Sequence, residues 1–429
     1  MSKPKIRFKG FTEDWEQRKL GDVTYILDGD RGKNYPTSDD LDSSGHTLFL
    51  NASNVTTDGF LFRENQFITE EKSNSMGNGK LETDDIVVTS RGSLGHIAWY
   101  NADISRIMPY ARINSGMLIL RNKQEVTTEF LYHFLKSDKG QNQISFMSFG
   151  SAQPQLTKKG VENLEVLLPL KTDEQVKLGR CFSNLDHLIT LHQRKCEETK
   201  KFKKYMLQKM FPKNGKNIPE IRFEGFTEDW EQRKFSQVFD FLQNNAFSRA
   251  ELEDNGNIMN VHYGDILVKY GEVLDITKFE LTYLKDDSLA DKYRTSFLKN
   301  GDIIIADAAE DETVGKCSEI AGLSEETVLS GLHTIPCRPV DSFAKGYLGY
   351  YMNSSAYHNQ LLPLTQGTKV SSISKSAIQD TKIESPQSEK EQKLIGLYFG
   401  ALDNLITLHQ RKYKELQKIK KFMLQNMFI

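Results

Sequence analysis

The chain repeats itself, and this duplication constrains its fold more than any other feature. The segment IRFKGFTEDWEQRKL from Ile6 returns as IRFEGFTEDWEQRKF from Ile221, 215 residues further on. A second block, LDHLITLHQRKCEETKKFKKYMLQKMF from Leu185, returns as LDNLITLHQRKYKELQKIKKFMLQNMF from Leu402, 217 residues further on. Between these blocks the halves diverge, but anchors keep the 217-residue offset: TDDIVVTS matches NGDIIIAD, aligning Asp85 with Asp302 and Ile86 with Ile303. Likewise GSAQPQLTKKGVENLEVLLP from Gly150 matches GTKVSSISKSAIQDTKIESP from Gly367, each closing on a proline, Pro169 or Pro386. Each half therefore reads as one variable globule followed by one fixed helix. A length of 429 residues accommodates two such pairs.

Within the variable parts, short β-rich runs such as DIVVTS, SGMLILR and GDIIIAD lie between Gly, Asn and Asp clusters, while TTEFLYHFLKS and FAKGYLGYYMN read as helices. The globules are expected to be α+β. From about Thr172 to Phe211 and from about Glu389 to Phe428 no proline occurs, and apolar residues recur at alternating steps of four and three. The second seam runs Ile395, Phe399, Leu402, Ile406, His409, Tyr413, Leu416, Lys420, Met423, Met427; the first runs Leu178, Phe182, Leu185, Ile189, His192, Cys196, Thr199, Lys203, Met206, Met210. That heptad spacing predicts two long helices paired as a coiled coil. An antiparallel pair is expected, with a globule at each end of a rod, because the linker through Pro212, Gly215 and Pro219 is too short to return along a helix. The expected fold is thus a pseudo-two-fold tandem repeat: a globule over residues 1–171, a spacer helix over 172–212, a linker and second globule over 213–388, and a second spacer helix over 389–429.

Composition narrows the function by exclusion. Lys and Arg number 56 against 58 Asp and Glu, so a polyanionic partner must be held by local basic patches rather than by net charge. No run of 18 apolar residues exists, and the residues after Met1 do not resemble a signal peptide, so a cytoplasmic protein with no membrane partner is expected. Cys181, Cys196, Cys317 and Cys337 form no CxxC pair and are expected to be reduced. No phosphate loop, HExxH, zinc-deaminase or GxSxG motif is present. No catalytic residue, metal or cofactor is therefore assigned.

Candidate binding residues come from chemistry. In the first globule, Arg31, Lys33, Asn34 and Tyr35 form a basic, hydrogen-bonding loop after a strand; Ser90, Arg91 and Ser93 follow the VVT strand in a glycine-rich turn; Gln153 and Gln155 lie beside Gly150. Arg reads guanine bidentately and Asn or Gln reads adenine, so these are candidate contacts to base edges. In the second globule the matching site after GDIIIAD is acidic, and Lys269, Tyr270, Lys316, His333 and Lys369 are the candidates instead. On the helices, Arg194, Lys195 and Lys201, with Arg411, Lys412 and Lys418, are candidates for docking a partner.

This pattern resembles the specificity subunits of type I restriction-modification systems. The resemblance covers the whole chain and rests on RFKGFTEDWEQRKL from Arg7, RFEGFTEDWEQRKF from Arg222 and the LDxLITLHQRK signature from Leu185 and Leu402. It implies that each globule is a target-recognition domain reading one half of a split sequence in double-stranded DNA. It also implies that the helices set the spacing and dock two copies of a modification (methyltransferase) subunit, with restriction (translocase-nuclease) subunits joining through the complex. A subunit of this kind has no catalytic centre of its own. Two other readings are a specificity subunit whose partner fuses methyltransferase and nuclease, and a two-headed structural adaptor.

Overall fold

The computed structural model describes residues 3–147, 155–213, 215–367 and 369–429. Contacts divide it into two compact units, Met1–Gln193 with Arg411–Ile429, and Arg194–Gln410. Neither boundary falls at a helix end; both cut through the long helices.

In the first unit an antiparallel sheet orders the strands Thr24–Asp28, Met117–Asn122, Asp85–Thr89 and Ile97–Tyr100. Every residue of Asp85–Thr89 is buried, which is why its centre, Ile86 to Val88, is a continuous apolar run rather than an alternating one. Its alternate side chains feed two cores, Ile86 and Val88 one and Val87 the other. A second sheet orders Phe67–Ile68, Thr47–Leu50 and Ala111–Ile113, the last pair parallel. The second unit enlarges the same scheme. Its main sheet orders Phe239–Phe241, Thr334–Pro339, Ile303–Ala306, Cys317–Ala321 and Val273–Asp275, and Ile303–Ala306 is again wholly buried.

The repeated anchors in the sequence turn out to be buried ion pairs. Asp85 accepts from Arg121 Nε and Nη2 at 2.9 and 2.8 Å, and Asp302 accepts from Arg338 Nε and Nη2 at 2.9 and 2.7 Å. Burial pushes the Asp85 carboxyl up and the arginine opposes it. The opening motif is held the same way. Arg7 grips Glu174 at 2.6 and 2.8 Å, and Arg222 grips Glu391 at 2.7 and 2.9 Å. Both glutamates lie in the first turn of a long helix, where a carboxylate also complements the helix dipole. Each opening motif then continues into a strand, Glu16–Lys19 or Glu231–Lys234, that pairs antiparallel with the strand just before the helix. Gln175 and Gln392 finish the joint by donating to the carbonyls of Pro169 and Pro386 at 3.0 Å.

The long helices span Thr172–Lys209 and Glu389–Met427. Every residue of both heptad seams is buried or half-buried. At the helix ends, however, seam residues enter globule cores. Leu178, Phe182 and Met427 belong to the core of the first unit, and Met206, Met210, Ile395, Phe399 and Leu402 to that of the second. A phenylalanine after each helix completes the plug. In the first unit Phe428 lies 5.3 Å from Phe182 and 5.6 Å from Phe130; in the second, Phe211 lies 5.6 Å from Tyr351 and 5.9 Å from Phe399. Burying one such ring stabilises by about 1.5–3 kcal/mol, enough to fix a helix end.

Inside each unit the two helix segments run antiparallel. In the first unit Phe182 meets Phe428 while Asp186, one turn on, pairs with Lys420, nearer the start of the other helix. In the second unit Lys203 reaches Asp403 at 2.6 Å and Phe211 meets Phe399. The lysines that interrupt the apolar seams are therefore paired, and Lys203 gains a second carboxylate, Glu272, at 2.7 Å. Polar groups at such positions fix register. All four cysteines are free thiols, and burial pushes those of Cys181, Cys317 and Cys337 up, away from the reactive thiolate. Among the described residues no helix is long and apolar enough to cross a membrane.

Candidate nucleic-acid interface

Both units build one backbone frame at the end of the central strand. In the first, Ser90 N donates to Gly116 O at 2.7 Å and Leu156 N donates to Ser90 O at 3.0 Å. In the second, Asp307 N donates to His333 O at 3.1 Å and Ile373 N donates to Asp307 O at 2.8 Å. All three positions differ by the same 217 residues as the anchors in the sequence. The frame is shared, but the side chains mounted on it are not.

In the first unit the frame collects candidates that lie far apart in sequence. The turn Asn114–Gly116 is the meeting point: Arg91 N donates to Gly116 O at 3.2 Å, Ser115 N donates to Tyr35 Oη at 3.4 Å, and Arg31 Nη2 lies 3.5 Å from Ser115 O. A Cβ on Gly29 would stand 2.2 Å from Asn114 O, so only glycine lets the Arg31 loop approach this closely. Asp30 shapes that loop by accepting from Gly32 N and Gly77 N, both at 2.7 Å, and these bonds hold its carboxyl below the usual range. Arg91 is exposed on a turn closed by Gly92 and Gly95, both at positive φ, and its guanidinium has no partner among the described residues. Lys33 and Ser93 are exposed nearby, and Gln155 is half-buried beside Leu156. Asn34 spends its amide on Ser75 O at 2.7 Å. Ser90 is 1% exposed, so it supports the turn instead of facing a ligand. Gln153 lies outside the described residues.

The second unit rearranges the expectation. Tyr270 is a core residue, 3% exposed and edge-on to Phe279, because the apolar ring closes the gap under its own loop; it presents nothing outward. Lys316 turns inward and donates to the carbonyls of Leu267 and Tyr270 at 2.9 and 3.0 Å, and burial lowers its pKa. Lys269 remains exposed over the Tyr270 ring, and Lys369 is exposed on the segment leading to the frame. His333 is exposed on the frame itself. Three contributors escaped the reading of residue types alone: the Asn114–Gly116 turn, Asp307 and Tyr263. The Asn-Ser-Gly triplet and the alignment of Asp307 with Ser90 were the available signals.

On the helices, Arg194 is tied to Glu198 at 2.7 Å, and Arg411 and Lys412 to Glu415 at 3.0 and 2.9 Å, all as exposed pairs one turn apart. Lys195, Lys201 and Lys418 are exposed. Large apolar side chains stand beside them in matching sets. Leu188, Ile419 and Phe422 are exposed in the first unit, and Leu405, Phe202 and Tyr205 at the equivalent positions in the second. No group of three or more His, Cys, Asp or Glu side chains among the described residues is arranged to hold a metal ion.

Residues 12–201 and 227–418 each match the type I restriction modification DNA specificity domain. The chain is 25% identical over 425 residues to the type I restriction enzyme MjaVIII specificity subunit of Methanocaldococcus jannaschii, covering 95% of this chain and 91% of that one. It is 21% identical over 424 residues to the putative MjaX specificity subunit of the same organism, with the same coverage. Among solved structures, the type I restriction-modification S subunit from M. genitalium superposes with a TM-score of 0.61 at 13% identity, covering 100% of this chain and 99% of that one. A chain from a study of complex assembly and conformational transition in the type I system superposes with a TM-score of 0.53 at 17% identity, covering 97% and 98%. With two copies of the domain spanning most of its length, the chain belongs to the type I restriction-modification DNA specificity family.

Proposed function

We propose that this chain reads a two-part sequence in duplex DNA, one half-site per unit, and carries two copies of a modification subunit on its long helices. It is a non-catalytic, cytoplasmic subunit on this reading, and restriction subunits join through the complex it organises. The observation that carries the proposal is the shared frame with unlike side chains. Exposed Arg91 in one unit stands where buried Ala308 stands in the other, and Gly116 stands where exposed His333 stands, so two readers of one architecture would meet different bases.

The helix surfaces support the second part. Two copies of one partner need two equivalent docking patches, and the duplicated exposed set Leu188, Ile419, Phe422 and Leu405, Phe202, Tyr205 supplies them. Apolar and aromatic anchors of this kind carry more binding energy than exposed ion pairs, which contribute about 0–1 kcal/mol. Arg194 and Arg411 therefore serve as rim residues around these anchors. The two helices would act as the ruler between the half-sites.

The test is genome-wide mapping of methylated bases in a host that lacks adenine methylation, with the chain expressed alongside its modification subunit. One split motif with a fixed spacer is expected. A continuous motif would contradict the split-site reading, and binding to proteins with no site preference on DNA would return the chain to an adaptor role.

A further inference from the structure

His333 is the residue at which the two frames part. Asp84, Gln124 and His333 are the non-glycine residues at positive φ among those described. Asp84 has Gly301, at φ +89°, as its counterpart, so its left-handed backbone belongs to the common architecture. His333 does not follow that rule. It adopts φ +54°, whereas its counterpart Gly116, free to go there, does not. A bulky side chain in this region needs its surroundings to hold it.

The surroundings do so from two sides. His333 Nδ1 lies 3.3 Å from Asp307 Oδ1, and the ring meets Tyr263 edge-on with centroids 5.2 Å apart. The same two residues are joined through the backbone, Asp307 N to His333 O. The Asp307 side chain is 26% exposed and that of His333 is 52% exposed, so the carboxylate sits inside and the ring reaches out. In the neutral imidazole, Nδ1–H donated to the carboxylate leaves the outward Nε2 as an acceptor. Nε2 has no hydrogen-bond partner among the described residues. An acceptor held on a rigid turn matches an exocyclic amine, that of adenine or cytosine, on a base edge in the major groove.

We propose that Asp307 positions His333 to read one exocyclic amine in the half-site bound by the second unit. This rests on the DNA-reading function proposed above, and the experiment separates the two. The full chain is expressed with its modification subunit in a host lacking adenine methylation, and methylated sites are mapped for the unaltered chain, His333→Ala, His333→Gln and Asp307→Asn. His333→Ala should raise methylation of sites bearing the wrong base at one position of one half-site by tenfold or more and leave the other half-site unchanged. Asp307→Asn should relax the same position less, and His333→Gln, which presents an amide acceptor at similar reach, should restore part of the preference. If His333→Ala yields no assembled complex, Asp307→Asn and His333→Gln decide the matter by whether that single position relaxes. An unchanged motif in the variants, or an even loss of methylation across all positions, overturns the role of His333. If the unaltered complex produces no split motif, the DNA-reading function fails first, and this inference with it.

Discussion

Arg91 shows how a single side chain is left exposed by the backbone around it. Two glycines at positive φ free the turn, Gly116 O fixes its backbone, and the guanidinium is left without a partner among the described residues. Arg91→Ala should relax discrimination at one base of the first half-site by about 1–3 kcal/mol, measured by competition between duplexes that differ at that base. Equal weakening on every duplex, with a shallower salt dependence, would reassign it to a phosphate. Glu319 illustrates the opposite, a polar side chain kept for the fold. It is buried, accepts from Gly346 N at 2.6 Å and Gly349 N at 2.9 Å, and burial raises its pKa to about 7. The folded state therefore holds a proton that the unfolded chain releases near pH 4.5, so the contribution of Glu319 to the stability of the second unit is full below that pH and is lost as pH rises through 7. The expected loss is about 3 kcal/mol between pH 4.5 and 8, read from urea unfolding of the second unit's signal. Glu319→Gln should flatten that slope; an equal slope in the variant would assign the pH dependence to other groups.

Among the elements, the helices were the most legible. Heptad spacing identified the shielded positions, because a stripe repeated every three and four residues has only one face to bury. It did not reveal what covers the ends of the stripe. Phe211 and Phe428 look like the last residues of a coiled coil but are core residues of globules, and that assignment depends on aromatic neighbours such as Trp230 and Phe130 that are remote in sequence. The strands were legible as buried runs, whereas Tyr270 and Lys316 were misjudged because residue type says little about which way a loop side chain turns. The proposed role of the helices as a ruler can be tested. Four residues inserted in both helices, after Thr199 and after Thr407, keep the Asp186–Lys420 pair in one unit and the Lys203–Asp403 pair in the other. Each helix grows by about 6 Å, so the spacer in the methylated motif should lengthen by one or two base pairs at about 3.4 Å each. An unchanged spacer with full methylation would mean that the helices do not set the distance.

For the whole molecule, the duplication separates what must vary from what must not. The opening motifs, the arginine–glutamate grips, the buried aspartate–arginine pairs and the exposed apolar side chains on the helices recur, whereas the side chains on the frame differ. If the two units are independent readers on a common support, one can be exchanged without the other. Residues from about 20 to 156 are replaced by the corresponding segment of a relative with a different target, and methylated bases are mapped for the original and the exchanged chain in the same host. Each unit has its own cores and its own Arg–Glu grip, so the exchange should replace one half-site and leave the other, with the spacer, as before. A change in both half-sites, or in neither while the exchanged complex remains active, would contradict independent readers.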